Sequence, residues 1–148
     1  MQGNLANSYD AQGRLEESVK ITREIYALRS EHNGKNHVDT LLSAVNLAST
    51  LVNKLEQYDE ARSFLRARIP EAIRALGKDH DITFKLQRMH AQCLYKHADA
   101  SLEDVTTAIA TLEDLDQRMG RIYGNVNPQA RWTRKLLEEA RETLARAK

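Results

Sequence analysis

Apolar side chains recur along this chain at helical spacing, in blocks separated by short polar stretches. Leu41, Ala44, Val45, Ala48, Leu51 and Val52 fall three or four positions apart and predict a helix over 38–54. Gly34 ends the helix before it, since glycine takes the left-handed conformation cheaply, and Asn36 or His37 opens the new one. Ala61, Phe64, Leu65, Ile69, Ile73 and Leu76 predict a second helix over 58–76. Pro70 removes one backbone donor there and is expected to kink or divide that helix near Arg68. A third runs over 80–96, with Phe84, Ala91, Leu94 and Tyr95 partly buried. Ser101, three residues before Asp104, resembles a capping box. A long stripe follows: Leu102, Val105, Ile109, Leu112, Leu115, Met119 and Ile122. Asn127 can cap a last helix and Pro128 suits its first turn. That helix places Trp132, Leu136, Ala140 and Leu144 on one side and charges elsewhere, as a terminal helix of a stack would.

The blocks repeat. Asn4-Leu5-Ala6 returns as Asn46-Leu47-Ala48, a step of 42 residues. Gly34-Lys35-Asn36-His37 returns as Gly77-Lys78-Asp79-His80, a step of 43, each followed three positions after the histidine by Thr40 or Thr83. Gly124-Asn125-Val126-Asn127-Pro128 is a weaker third copy. Arg14-Leu15-Glu16-Glu17-Ser18 matches Gln57-Tyr58-Asp59-Glu60-Ala61, and Ser101-Leu102-Glu103-Asp104-Val105 is a diverged third version. Such a period predicts helix pairs that bury their apolar faces against their neighbours. The chain reads as one solenoid over 1–148. Its repeats cover roughly 1–33, 34–76 and 77–123, with a terminal helix over 124–148. Residues 1–10 match only the second half of a first helix. The segment is therefore expected to be the C-terminal part of a longer array, with an apolar edge near Leu5 that meets a preceding repeat.

Asn46-Leu47-Ala48, Tyr58-Asp59-Glu60-Ala61 and Leu76-Gly77-Lys78-Asp79-His80 with Thr83 resemble tetratricopeptide repeats of the kinesin light chain type. Their step is longer than the roughly 34 residues of ordinary tetratricopeptide repeats. That pattern usually reads His-Pro after the glycine. Here Val38 and Asp81 replace the proline, and Met89-His90-Ala91 replaces Asn-Leu-Ala. The resemblance implies an all-α, right-handed superhelical stack of antiparallel helix pairs, about seven helices in all, acting as a protein-interaction scaffold without catalysis or cofactor.

In such a stack the first helices of successive pairs line the concave face. With Leu47 and His90 set as equivalents, that face receives Leu42, Val45, Asn46, Ser49 and Asn53 from one repeat. The next supplies Lys85, Arg88, Met89, Gln92 and Lys96. Asparagine and glutamine can pair with a peptide backbone, and the cations favour an acidic ligand segment. The alternatives are a structural end of a longer array or a segment that pairs with its own copy, and after these an unrecognised enzyme or an RNA binder.

Composition narrows this picture. The 22 basic and 21 acidic residues leave a net charge of +1, without the basic excess of a nucleic-acid binder. The cations Arg131, Arg134, Lys135, Arg141, Arg146 and Lys148 are interleaved with Glu138, Glu139 and Glu142, and Glu138–Arg141 reads as an ordinary helical pair. No apolar run approaches the roughly 20 residues of a membrane span, and the start lacks a signal-peptide pattern. One cysteine, Cys93, forms no internal disulfide and fits a reducing, cytoplasmic setting. It lies in an apolar helix segment and reads as a buried thiol rather than a nucleophile. The five histidines, His32, His37, His80, His90 and His97, lack zinc-ligand spacing; His37 and His80 share one repeat position at helix starts. Glu16-Glu17, Glu103-Asp104 and Glu138-Glu139 read as solvated faces, and Gly120 and Gly124 make no phosphate loop.

Overall fold

The computed structural model describes the backbone of residues 3–147 and the side chains of residues 13–147. Six α-helices follow one another: α1 (Gly3–Asn33), α2 (Val38–Ser49), α3 (Tyr58–Leu76), α4 (Asp81–Lys96), α5 (Leu102–Tyr123) and α6 (Pro128–Ala147). A π-helical turn, Thr50–Lys54, continues α2. Among the described residues there is no strand.

The repeated glycine and histidine explain where the helices stop and start. Gly34, Gly77 and Gly124 have φ of +85°, +93° and +82°, a region that a side chain makes costly. Each glycine N–H closes the preceding helix by donating to a carbonyl four residues back, those of Ser30, Ile73 and Gly120. Three residues later a side chain opens the next helix. Nδ1 of His37 accepts the Asp39 N–H at 3.1 Å, Nδ1 of His80 accepts the Ile82 N–H at 3.1 Å, and Oδ1 of Asn127 accepts the Gln129 N–H at 2.8 Å. The threonines then fasten the turn: Thr40 donates to the Arg29 carbonyl at 3.1 Å and Thr83 to the Gly77 carbonyl at 2.8 Å. At α5 the capping box forms in both directions between Ser101 and Asp104. The Ser101 backbone N–H, followed by Arg62, holds the Asp104 carboxyl below its usual range.

Each helix packs on the next, and α2 also packs on α4 and α4 on α6. By contrast α1, α3 and α5 meet only through long side chains, as in Arg23–Glu60, Tyr26–Phe64 and Arg62–Asp104. A stack whose alternate helices lie close on one side and apart on the other curves, with α2, α4 and α6 inside. This is the all-α solenoid of helix pairs that the repeat predicts. Two apolar clusters fill it. Leu41, Leu51, Leu65 and Leu86 belong to one, and Phe84, Leu112, Leu115 and Leu136 to the other. Helix α4 supplies both: Leu86, Met89 and Cys93 to the first, Phe84, Ala91, Leu94 and Tyr95 to the second.

Several expectations need correction. Among the described residues there are six helices rather than about seven, because Gly3–Asn33 is a single helix where the repeat predicted two. Gly13, inside that helix, leaves open space where a Cβ would stand, and a lone glycine costs a helix only about 1 kcal/mol. The predicted helix over 38–54 is α-helical only to Ser49. Pro70 does not divide α3; it is exposed, so the carbonyl it leaves unbonded can be met by water. Ile73, expected inward, is substantially exposed, as are Leu102 and Ile122 of the apolar stripe and Trp132 of the last helix, whereas Phe84, expected to be partly buried, is completely buried. The apolar edge near Leu5 lies outside the described side chains.

Candidate ligand-binding groove

On the inner side, α2 and α4 leave a cleft of about 210 Å³ that α6 flanks. Its walls are Val45, Asn46, Ser49 and Asn53 from α2 and its π turn, Lys85, Arg88, Met89 and Gln92 from α4, and Trp132 from α6. Eight of the ten residues assigned from sequence thus stand around one space. Leu42 and Lys96 do not. Leu42 is exposed one turn before Asn46. Lys96 lines neighbouring clefts beside Tyr58, with its Nζ 4.0 Å from Glu139. The π turn accounts for Asn53 and Lys96 parting ways. It takes an extra residue into one turn, so side chains beyond it are rotated by up to about 100° relative to the unbroken α4. Trp132 escaped the sequence reading because α6 carries no Asn-Leu-Ala signature to set its register.

The charge in the cleft is not where the sequence put it. Lys85 is neutralised by Asp81 one turn away, with N and O 3.0 Å apart. Arg88 is buried and donates to the Gln129 side chain. Burial pulls its pKa down to about 10 against the upward pull of Asp81, so it remains a cation at neutral pH. Lys135 lies 5.6 Å from the centre of the Trp132 ring, and together with Arg131 and Pro128 they border an adjoining hollow of about 400 Å³. Nε of Arg88 and Nε2 of Gln92 are buried donors without an acceptor among the described residues.

Elsewhere the reactive side chains serve the fold. His37 and His80 cap helices. His97 accepts the Asp99 N–H at Nδ1 and reaches Asp59 with Nε2 at 2.9 Å. His90 is half-buried, and burial, then Arg62 and Arg66, push its pKa down. Among the described residues, no three His, Cys, Asp or Glu side chains converge as metal ligands would. Glu139 accepts the Tyr95 hydroxyl at 2.9 Å, and Arg141 pairs with Glu113 at 3.2 Å, not with Glu138 as the spacing suggested. Burial pushes the Cys93 thiol up to about 12. At pH 8 only about one thiol in 10⁴ is then ionised. Labelling of the native chain by a disulfide reagent is therefore expected to run at least about 10³-fold slower than in denaturant; equal rates would contradict the burial. No helix among the described residues is long and apolar enough to cross a membrane.

A curved stack of helix pairs with a polar inner cleft defines a helical-repeat fold. Residues 1–70 match the tetratricopeptide repeat family model, which supports a tetratricopeptide repeat protein and suggests a protein–protein interaction scaffold. The match ends within α3, yet the glycine and cap geometry recurs beyond it at Gly77–His80 and Gly124–Asn127. No curated protein matches the chain.

Proposed function

We propose that this chain holds an extended, acidic segment of a partner protein in the cleft between α2, α4 and α6, without catalysis. The observation that carries this reading is the pair of buried, unpaired donors on Arg88 and Gln92, two residues that line the cleft. A buried donor without an acceptor costs about 1–3 kcal/mol, and a peptide carbonyl or carboxylate that displaces the side chains covering these two would offset it. Asn46 and Asn53 add amides that can both donate and accept along a peptide backbone. Arg88, Arg131 and Lys135 supply the positive potential. The step of 43 residues between the His37 and His80 caps supports assigning the repeats to the kinesin light chain type, and a lone buried thiol fits a cytoplasmic setting.

Selection of random linear peptides on the immobilised chain tests the reading. Reversing Arg88 would put a carboxylate in a buried site, so Arg88→Met combined with Gln92→Leu is the informative variant. Peptides selected on the wild type are expected to be rich in Asp and Glu and to lose about tenfold in affinity for that variant, about 1.4 kcal/mol. Helicity by circular dichroism should not change. Peptides that bind both proteins equally, or no enriched peptide at all, would refute it. A second reading is favoured by the uncovered apolar face of α1: the segment also joins a longer stack through that helix.

A further inference from the structure

Helix α1 is apolar on two opposite sides. Leu15, Val19 and Tyr26 turn toward the rest of the molecule, whereas Ile21, Ile25 and Leu28 are 47%, 37% and 54% exposed. With Glu17, the last three lie on one side of the helix at spacings of four, four and three. A helix apolar on both sides is suited to lying between two neighbours.

The internal repeat says what kind of neighbour. The step of 43 residues that matches Arg14–Ser18 with Gln57–Ala61 carries Glu17, Ile21 and Ile25 onto Glu60, Phe64 and Arg68 of α3. Those three α3 residues are the ones that α1 covers. Arg23 pairs with Glu60, the Tyr26 ring meets Phe64 edge-on at 5.1 Å, and Arg68 lies over Tyr26 at 5.8 Å and donates to its hydroxyl. Thus α1 already shows how a helix docks on this kind of face: a basic residue meets the glutamate, and an aromatic residue three positions later meets the apolar ridge. A second copy stacked head to tail would not fit. The positions on α5 that correspond to Arg23 and Tyr26 are Ala110 and Glu113, with no cation for Glu17 and a carboxylate against Ile25.

We propose that the Glu17–Ile21–Ile25–Leu28 face of α1 docks an α-helix of a partner carrying a basic residue three positions before an aromatic one, set as Arg23 and Tyr26 are set on α3. This rests on the second reading above, that the segment joins a stack through α1, and is independent of the groove.

The test uses a fluorescent peptide with the sequence of residues 14–33, held helical by a lactam between Lys20 and Glu24, which lie off its docking side. A control peptide carries Arg23→Glu and Tyr26→Ala. The whole chain is titrated into each, as wild type, Ile25→Asp and Glu17→Arg, with sedimentation run in parallel. The first peptide is expected to bind the wild type and to lose at least tenfold on Ile25→Asp. A peptide with Arg23→Glu alone should weaken on the wild type and recover on Glu17→Arg. Equal binding of the first and control peptides would overturn the stated chemistry while leaving the stack reading intact. Binding of neither would overturn both. Self-association of the wild type that Ile25→Asp abolishes would assign the face to a second copy and end the proposal.

Discussion

Phe84→Ala is expected to cost about 3–5 kcal/mol of folding stability, measured as a shift in the urea midpoint at unchanged slope. Phe84 has no exposed surface and lies where α4, α5 and α6 meet, with Leu112, Leu115, Met119 and Leu136 in the same cluster. Its ring also packs edge-on against Tyr123 at 6.1 Å. Truncation leaves a cavity that three helices cannot close without losing their own contacts, which puts the cost in the upper range for core deletions. Typical domains keep only about 5–15 kcal/mol in reserve, so the variant should be marginal. A loss under about 1 kcal/mol would show that the cluster is looser than described.

Arg118→Ala is the second large effect, expected near 2 kcal/mol by the same measurement. The buried guanidinium ties α5 to the turn between α3 and α4. Nη1 donates to Asp79 at 2.9 Å and to the Lys78 carbonyl at 3.2 Å, and Nε donates to Asp114 at 3.0 Å. Its plane covers the Phe84 ring at 5.3 Å. Asp79 and Asp114 are half or more exposed and rehydrate when the cation is gone, which keeps the loss below the 3–5 kcal/mol or so of a fully buried pair. Arg118→Lys should recover only part, because a point charge cannot serve several acceptors at once. Combined with Phe84→Ala, the loss should fall short of the sum by about 0.5–1 kcal/mol, since the two side chains touch. Strict additivity would show that the stacking contributes nothing.

What the sequence disclosed, it disclosed through local chemistry. Gly77 and His80 predict a turn because a positive φ and a side-chain cap are satisfied within a few residues, whatever the rest of the chain does. The inner cleft was legible for a similar reason. Once the step of 43 is known, Asn46 and Met89 must face the same way on parallel helices. The failures came where pairing and packing decide, even between residues close in sequence. Lys85 looked like free positive charge until Asp81 closed on it. Pro70 looked like a breaker because exposure cannot be read from one residue. The π turn has no sequence signature of its own, and it moved Asn53 away from its counterpart. Arg68 stands among apolar core positions because Tyr26, Phe64 and Glu71 receive it; the last two are on its own helix, and Tyr26 comes from α1, a contact that no single repeat discloses.

Helix α4 gives side chains to both apolar clusters. In most linear arrays adjoining units communicate through an interface and can fray one at a time. Here the boundary between the clusters is an entire helix, shared as a party wall is shared by two houses. Loss of order in either half strips apolar cover from that wall, so the two halves should melt together.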